Sequence, residues 1–443
     1  MNSCRPALLI ASGLRRIDIL ISVALALLLY LPSIGACSPT EWIDPDTGHR
    51  VVQLSREPGS ESLYFNLNPF TPDGKKMVIT TPDGISTIDL QTRQIGQVVT
   101  DRVDILMVGH KTGDVYYYRF NGRNPFAPRE HVIYATDLNT KATREVATLP
   151  PGEFAVTINS DEKLVAGTIT DSSRMTNRPA FRFDRNLTPA QQRERKGEMM
   201  DRRFNEHLPM KLFFLNLETE KTTTCDNGTD WLNHLQFSPT DPNLLLFCHE
   251  GTWQDVDRIW TIHSDGTDLT LVHKRTMAME IAGHEFWGPD GETVWYDLQT
   301  PRGEDFWVGG CNLQAKIQTW YHLDRDEWSV HYNISPDGQM FCGDGGDDRM
   351  VAHATNGKWI YLFRPELVSD NSKTREDKAG LIHPGVFHAE RLVNMARHNY
   401  ALEPNAMFSP DEKWVIFRSN MSGASQVYEV EIDKTVDSES SIK

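Results

Sequence analysis

Two His-Glu pairs stand out in this 443-residue chain because apolar residues flank each of them. The first pair is His249 and Glu250, and the second is His284 and Glu285. An imidazole has a pKa near neutrality, so beside a carboxylate it suits a general base or a metal ligand. One such pair is often structural, whereas two pairs in neighbouring repeats favour a functional site.

Two further histidines occupy positions equivalent to that of His284. His284 and His331 each lie six residues before the aspartate of a repeated turn, and His234 lies seven residues before another. Equivalent positions in repeated units meet at the same end of a repeat architecture. We therefore expect these three imidazoles to converge, and assign His234, His331 and Glu250 to substrate binding.

The turn that orders these residues recurs six times as a variant of Phe-Ser/Thr-Pro-Asp-Gly. In this turn proline presets φ, aspartate closes an Asx turn and glycine accepts positive φ. An apolar strand follows most copies, and residues 108–116 form a degenerate seventh unit without the proline. The six complete copies are residues 70–75, 158–163, 237–242, 287–292, 334–339 and 408–413.

The shortest separations between these turns are 47 and 49 residues. Four short strands at this period are typical of a β-propeller blade. The sequence therefore predicts an all-β, seven-bladed β-propeller over residues 41–435, with less than about 15% helix against a usual third. We expect residues 51–54 to complete the blade formed by residues 427–430 and so to close the ring.

Two insertions interrupt the repeat. Residues 172–207 carry nine Lys or Arg against five Asp or Glu, and residues 189–206 have helical composition after a candidate N-cap at Thr188. The alternatives are a solvated surface helix and a basic lid beside an anionic ligand. The second insertion, at about 366–395, has mixed composition and indicates no function.

The first 36 residues have the order of a secretory signal, with Arg15 and Arg16 before an apolar run and then small residues. Two alternatives remain for its processing. Cys37 either becomes the lipidated first residue of a lipoprotein, or cleavage occurs near Gly35 or Ala36. We therefore expect an exported protein that is periplasmic, attached to the outer membrane or secreted, with membrane attachment only through a lipid on Cys37.

Composition excludes several classes of function. With 39% apolar and 24% charged residues the chain is globular, and its net charge of −16 argues against nucleic acid as a partner. No G-x-S-x-G elbow, P-loop, GxGxxG or Trp-Asp repeat occurs. The cysteines show no CxxC spacing, so we do not expect a zinc site.

The segments around His249 and His284, together with residues 255–260 and 289–291, resemble the oligogalacturonate lyases. The likeness extends over most of the chain after the leader. It implies a seven-bladed propeller that cleaves short galacturonides by β-elimination, with a histidine base and a divalent metal, commonly manganese. By this resemblance His249 is the base and His284 is a metal ligand.

The chain departs from that family at the remaining metal ligands. The family places His-Pro-His before the last turn and glutamine three residues earlier, where this chain has Glu403, Pro404, Asn405 and Tyr400. The resulting set of His284, Glu403 and Asn405 suits Mn²⁺ or Ca²⁺. The alternative reading gives Glu403 a structural role in capping a loop before Pro404.

The chemistry of β-elimination explains why Arg258 is assigned to catalysis. Removing the C5 proton of a uronic acid is opposed by the neighbouring carboxylate, so a cation or Arg258 must neutralise that charge. The resemblance, together with the leader, implies an exported lyase that cleaves oligogalacturonides or related uronic-acid oligosaccharides in pectin breakdown. The alternative is a non-catalytic, TolB-like periplasmic propeller that binds a protein or an oligosaccharide.

Overall fold

The computed structural model describes residues 41–120, 129–170, 187–225, 231–371 and 380–434. It is 47% strand and 6% helix, which confirms the all-β fold and the low helix content. The predicted leader and Cys37 lie outside the described residues. Within the described part of the chain, no helix is both long and apolar enough to span a membrane.

Two short strands come first, β1 (Glu41–Ile43) and β2 (Arg50–Gln53). Three antiparallel groups follow them along the chain. The first is β3 (Lys76–Thr81), β4 (Gly84–Asp89) and β5 (Ile95–Thr100); the second is β6 (Val103–Val108), β7 (Asp114–Phe120), β8 (Arg129–Asp137) and β9 (Thr143–Thr148); the third is β10 (Glu153–Ile158), β11 (Leu164–Thr170), β12 (Met210–Asn216) and β13 (Thr222–Cys225).

Four groups make up the second half of the fold. They are β14 (Leu232–Phe237), β15 (Leu244–His249), β16 (Ile259–His263) and β17 (Thr270–Leu271); β18 (Ile281–Trp287), β19 (Thr293–Gln299), β20 (Phe306–Asn312) and β21 (Ile317–Leu323); β22 (Tyr332–Ile334), β23 (Phe341–Gly343), β24 (Trp359–Leu367) and β25 (Ile382–Asn394); and β26 (Met407–Phe408), β27 (Trp414–Ser419) and β28 (Gln426–Glu431). Short 3₁₀ turns lie at Trp253–Asp255 and Arg325–Glu327.

The first and last parts of the chain share one sheet. Strand β2 pairs antiparallel with β28, with Val51 opposite Val430 and Gln53 opposite Tyr428. This pairing joins the N-terminal strands to the last group, as the sequence predicts. The groups built on β18 and β22 are also joined, because the outer strands β21 and β25 pair in parallel.

The innermost segments of the groups meet at a central cavity of about 240 Å³. One stretch from each described group lines it, at residues 65–70, 107–110, 157–160, 236–239, 286–287, 333–336 and 407–408. A cavity that collects one segment from every group is the channel of a propeller. Residues just before these stretches therefore lie at one end of the channel, and the repeated turns lie at the other.

The repeated turns have the predicted chemistry. In the first copy the carboxylate of Asp73 accepts a hydrogen bond from the Lys75 amide at 3.1 Å, and Gly74 has φ of 67°. Two copies place Glu162 and Glu412 at the glycine position, with φ of 62° and 59°. The turn geometry is thus retained where the sequence loses its glycine.

The basic insertion contains the only helix among the described residues, α1 (Pro189–Asn205). Thr188 is its N-cap: the Thr188 hydroxyl accepts from the Gln191 amide, and the Gln191 side chain accepts from the Thr188 amide. This capping box and Pro189 at the first turn explain where the helix begins. Residues 171–186 of the insertion lie outside the described residues.

The second insertion is smaller than the sequence suggests. Of residues 366–395, the stretch Ile382–Asn394 is strand β25, which pairs with β24 and with β21. His383, Pro384 and Gly385 at its start mask the alternation expected of a strand. The four described cysteines, at positions 225, 248, 311 and 342, are buried and free.

Candidate active site

Three histidines lie where the inner strands reach one end of the channel. His234 in β14 and His284 in β18 each lie at a β-bulge, and His331 directly precedes β22. His234 and His284 have positive φ, 52° and 47°, a conformation that few non-glycine residues adopt. A bulge re-aims a side chain. The imidazoles of His284 and His331 are in contact, with ring centroids 4.6 Å apart.

Each of these imidazoles faces a buried carboxylate through Nδ1. The Nδ1 atoms lie 3.1, 3.3 and 2.8 Å from carboxylate oxygens, in the pairs His234–Glu285, His284–Asp297 and His331–Asp344. For His234 and His331 this contact is a hydrogen bond, which fixes the ring orientation and leaves Nε2 for another partner. His284 Nδ1 and Asp297 Oδ1 lie close together without hydrogen-bond geometry. We call these six residues the mouth cluster.

Electrostatics in the mouth cluster favour an ionised Glu285 carboxylate. Burial raises the pKa of Glu285, but the neighbouring His234 and Arg258 outweigh it and lower that pKa to about 2. Burial lowers the pKa of His331, yet Asp344 outweighs burial and raises it above its ordinary value. The cluster therefore holds charge at neutral pH although it is largely shielded from solvent.

Aromatic rings cover one side of the mouth cluster. Tyr64 donates or accepts a hydrogen bond with His331 Nε2 at 3.2 Å, and its ring centroid is 6.2 Å from that of His234. Phe65 packs on His331 at 4.7 Å between centroids, and Trp253 lies 5.1 Å from His284. These contacts hold the imidazoles in place. They also put the polar hydroxyl of Tyr64 next to His331.

Arg258 and Glu250 form a buried ion pair beside the cluster. Only 2% of Arg258 and 6% of Glu250 is exposed, and Arg258 Nη1 binds Glu250 Oε1. The Glu250 carboxylate also accepts from Trp253 Nε1 at 3.2 Å and Asn233 Nδ2 at 3.3 Å. Burial raises the pKa of Glu250, but the nearby Arg258 outweighs burial, so the pKa is lowered and the pair stays ionised. The Glu250 carboxylate, which the sequence analysis assigns to substrate binding, is therefore bound by side chains of the protein itself.

His249, the predicted base, ends strand β15 next to Glu250. Its backbone lies opposite Leu232 of β14, two residues from His234, and its amide donates to the Arg258 carbonyl at 2.7 Å. His249 as a whole residue is half-buried, and its Nε2 atom is shielded from solvent. His249 is therefore on the same strand pair as His234, at the same end of the channel.

The predicted metal ligands lie around the cluster but are not gathered at one point. Glu403 Oε2 lies 3.9 Å from Nε2 of His331, and the Glu403 side chain is 40% exposed. Asn405 has φ of 51° and is fully buried, and its Oδ1 has no hydrogen-bond partner within the described structure. Tyr400, at the family's glutamine position, donates to the Asp344 carbonyl at 2.9 Å. Among the described residues, no group of three or more His, Cys, Asp or Glu has the geometry of a metal site.

The helix of the basic insertion packs beside this site. Thr252 donates its hydroxyl to Asp201 of α1 at 2.6 Å. A methyl group at Gly251 would lie 2.9 Å from the Phe204 ring, so this glycine permits the close approach of the helix. The end of α1 is thus fixed next to the segment that carries Glu250.

The sequence model of the oligogalacturonate lyase family matches residues 38–436. This chain belongs to the oligogalacturonate lyase family. It is a lyase. Oligogalacturonate lyase of Dickeya dadantii (strain 3937) is 25% identical over 407 residues, covering 89% of this chain and 96% of the relative. Oligogalacturonide lyase of Pectobacterium atrosepticum is 25% identical over 412 residues, with the same coverage.

Solved structures share the fold of this lyase. An oligogalacturonate lyase in complex with manganese aligns with a TM-score of 0.67 at 21% identity, covering 90% of this chain and 96% of its own. An oligogalacturonate lyase from Vibrio parahaemolyticus aligns with a TM-score of 0.69 at 19% identity, covering 90% and 97%. At these identities the likeness supports the architecture rather than the role of any residue.

Sequence reasoning missed several residues of this lyase's site. Asp297 and Asp344 each follow their histidine by 13 residues, because both pairs face each other across a strand hairpin of the same length. This equal spacing in two repeats was a detectable signal. No comparable signal identifies Tyr64, which comes from the irregular segment that replaces the inner strand of the first group.

Proposed function

We propose that this lyase cleaves oligogalacturonides, or closely related uronic-acid oligosaccharides, by β-elimination in pectin breakdown. The observation that carries the proposal is the mouth cluster, in which three imidazoles face three carboxylates at one end of a propeller channel. Membership of the oligogalacturonate lyase family supports an acidic oligosaccharide as the partner.

The reaction needs a base at C5 of the uronic acid. Imidazole suits this step because its pKa lies near neutrality. His249 is the proposed base through the resemblance of its segment to the family, and its position at the channel end beside β14 is compatible with that role. The mouth-cluster imidazole of His234 is proposed to contact the substrate. His331 is buried, and its two ring nitrogens lie within hydrogen-bond distance of Asp344 and Tyr64.

The reaction also needs positive charge at the substrate carboxylate. Arg258 is an incomplete source because Glu250 compensates its charge at hydrogen-bond distance. Nε and Nη2 of Arg258 are buried and have no hydrogen-bond partner within the described structure. This pairing favours a bound cation as the principal group that neutralises the substrate.

The donor atoms of the proposed ligands are of types that suit a divalent cation such as Mn²⁺ or Ca²⁺. The buried Oδ1 of Asn405 has no partner among the described residues, and Glu403 offers a half-exposed carboxylate in the same short segment. These oxygens with the His284 imidazole form a mixed donor set that such cations accept. We propose that His284, Glu403 and Asn405 hold the cation. When bound, it would neutralise the substrate carboxylate and stabilise the enediolate.

The proposed setting is outside the cytoplasm. Residues 1–36 have the order of a secretory signal, and Cys37 stands where a lipoprotein carries its lipid. We propose that the mature protein is periplasmic, held at the outer membrane or secreted. Any membrane attachment would be through Cys37, and the acidic net charge makes nucleic acid an unsuitable partner.

Mass spectrometry of the products tests the proposal. The mature protein is incubated with oligogalacturonides and Mn²⁺, and the molecular masses of the products are measured. Elimination gives two fragments whose masses add up to that of the substrate, one of them unsaturated, whereas hydrolysis adds the mass of water. Saturable binding of oligogalacturonide without any cleavage would instead support the non-catalytic binding propeller.

A further inference from the structure

The hydroxyl of Tyr64 lies against the mouth cluster although nothing in the family resemblance points to it. Its oxygen is 3.2 Å from His331 Nε2, and its ring centroid lies 5.3 Å from that of His331 and 6.2 Å from that of His234. Tyr64 is partly exposed, and Phe65 packs against its edge at 4.8 Å. The hydroxyl is thus held by a fixed imidazole at the channel end.

The position of His331 explains how the hydroxyl is held. Asp344 accepts hydrogen bonds from both the His331 amide, at 2.9 Å, and its Nδ1, at 2.8 Å. Asp344 is itself fully buried and also accepts from the Asn405 amide at 3.1 Å. Three contacts to one carboxylate fix the imidazole, so its Nε2 presents a stationary partner to Tyr64.

β-Elimination leaves one proton transfer without an assigned residue. When the base removes the C5 proton and the C4–O bond breaks, the departing sugar alkoxide must take up a proton. A sugar hydroxyl is a weak acid, so an unassisted alkoxide is a poor leaving group and a positioned proton donor accelerates the step. The mouth cluster carboxylates Glu285, Asp297 and Asp344 do not qualify, since each is buried and faces an imidazole.

We infer that Tyr64 is a further catalytic residue, the proton donor to the leaving oxygen, with His331 as its positioning residue. This inference rests on the proposed β-elimination. A phenol is protonated at neutral pH and offers its proton without further activation. The Tyr64 O–H proton passes to the glycosidic oxygen as the C4–O bond breaks and the C4=C5 bond forms.

The proton balance closes with water. The phenolate of Tyr64 takes a proton from water in the mouth, and the protonated base returns the C5 proton to solvent. The net reaction therefore consumes no water and needs no other reactant. It yields one unsaturated fragment and one fragment with a restored hydroxyl group.

The experiment compares Tyr64→Phe with the wild type on two substrates. The first is an oligogalacturonide, whose leaving group is a sugar hydroxyl. The second is a galacturonide with a nitrophenoxy group at C4, which departs as a stable phenolate and needs no proton. We expect Tyr64→Phe to lower kcat on the oligogalacturonide by about 10²- to 10⁴-fold with little change in KM. On the nitrophenoxy substrate the loss should stay below about tenfold.

Tyr134→Phe is the matched control, because it removes a tyrosine hydroxyl that donates to Glu130 at 2.9 Å in another strand group. It should keep wild-type kcat on both substrates. Equal losses for Tyr64→Phe on both substrates, or no loss on the oligogalacturonide, would overturn the inference. A wild-type protein that cleaves neither substrate would overturn the proposed β-elimination. If the wild type cleaves the nitrophenoxy substrate and Tyr64→Phe does not, the result would contradict the role of Tyr64 as proton donor.

Discussion

The mouth cluster combines strained backbone with paired side chains. His234, His284 and Asn405 are non-glycine residues with positive φ at equivalent positions of three repeats. Such conformations cost about 1–3 kcal/mol each and persist only where the surrounding structure enforces them. Their recurrence at one end of the channel indicates that the inner strands are shaped to aim these side chains into a shared site.

Replacing His249 tests the base. His249→Ala should lower kcat on oligogalacturonide by about 10²- to 10⁴-fold, since that is the usual contribution of a general base. Far-ultraviolet circular dichroism should show an unchanged strand content, because His249 is half-buried at the end of β15 and not in a core. His263→Ala, at the opposite end of the neighbouring strand β16, serves as the control. Full activity of His249→Ala would remove His249 from the mechanism.

Replacing Glu403 tests the metal ligands. Glu403→Gln should weaken Mn²⁺ binding by about tenfold or more, and by more than Asn405→Ala does, because Glu403 is the only anionic member of the proposed set. Isothermal titration calorimetry measures both. Glu292→Gln, on a repeated turn away from the mouth, should bind like wild type. Equal affinities for all four proteins would leave Glu403 with a structural role in its loop.

The sequence predicted part of this site and missed the rest for a physical reason. Histidines at equivalent repeat positions are readable because a repeat carries the same position to the same end of the channel. Pairing partners depend on strand register, and His234 takes its carboxylate from the next group, as Glu285, whereas His284 and His331 take theirs from the adjacent strand. Burial of Arg258 against Glu250 likewise depends on packing that spacing alone does not show.

At the scale of elements, helix α1 is the part of the basic insertion that reaches the site. Phe204 lies against Gly251, and Asp201 accepts a hydrogen bond from Thr252. If the insertion is a lid, Phe204→Ala should raise KM for oligogalacturonide several-fold while kcat changes little, since substrate binding and not chemistry loses support. Steady-state kinetics with Glu198→Ala, an exposed position on the same helix, provides the control. An unchanged KM would favour a helix that only covers the surface.

The closing sheet, in which β2 pairs with β28, carries the buried carboxylate of Glu429, whose titration makes stability depend on pH. Burial of Glu429 on β28 raises its pKa from 4.5 to about 7, although Arg93 lies 2.7 Å away and opposes this. The folded state therefore binds a proton more tightly than the unfolded chain, and stability from this group falls as pH rises from about 4.5 to 7. The loss amounts to about 3 kcal/mol over that range.

Denaturant unfolding measures this effect. The free energy of unfolding of wild type should fall relative to that of Glu429→Gln as pH rises through this range, because the amide carries no titrating proton. Gln94→Ala, an exposed change beside Arg93, should follow the wild-type curve. Parallel curves for wild type and Glu429→Gln would show that Glu429 does not titrate in this range.

Elements were predictable to the extent that they repeat. The turn motif located the hairpins, and Thr188 with Pro189 located the start of α1, since both signals are local. Strand β25 was not recognised because His383, Pro384 and Gly385 at its start mask the alternation of a strand, and its pairing with the distant strand β21 adds no local pattern. Tyr64 escaped for a related reason, as its segment makes only isolated bridges in place of an inner strand.

At the scale of the whole molecule, the channel and the closing sheet bring distant residues into one site. Tyr64, His234, His331 and Glu403 come from four strand groups, and their contacts exist only because every group contributes a segment to the same channel. The pairing of β2 with β28 holds the first and last of these groups together. The site is thus a property of the closed sheet arrangement rather than of any one repeat.

Ultraviolet absorbance of the C4=C5 double bond reports elimination at the mouth cluster as it occurs. The purified mature protein is mixed with oligogalacturonide, then with a chelator, and then with excess Mn²⁺. We expect a steady rise in absorbance that stops when the chelator is added and resumes with Mn²⁺, and that is lost in His249→Ala. No absorbance change with Mn²⁺ present, over a panel of oligogalacturonides and related uronic-acid oligosaccharides, would contradict elimination at the mouth cluster.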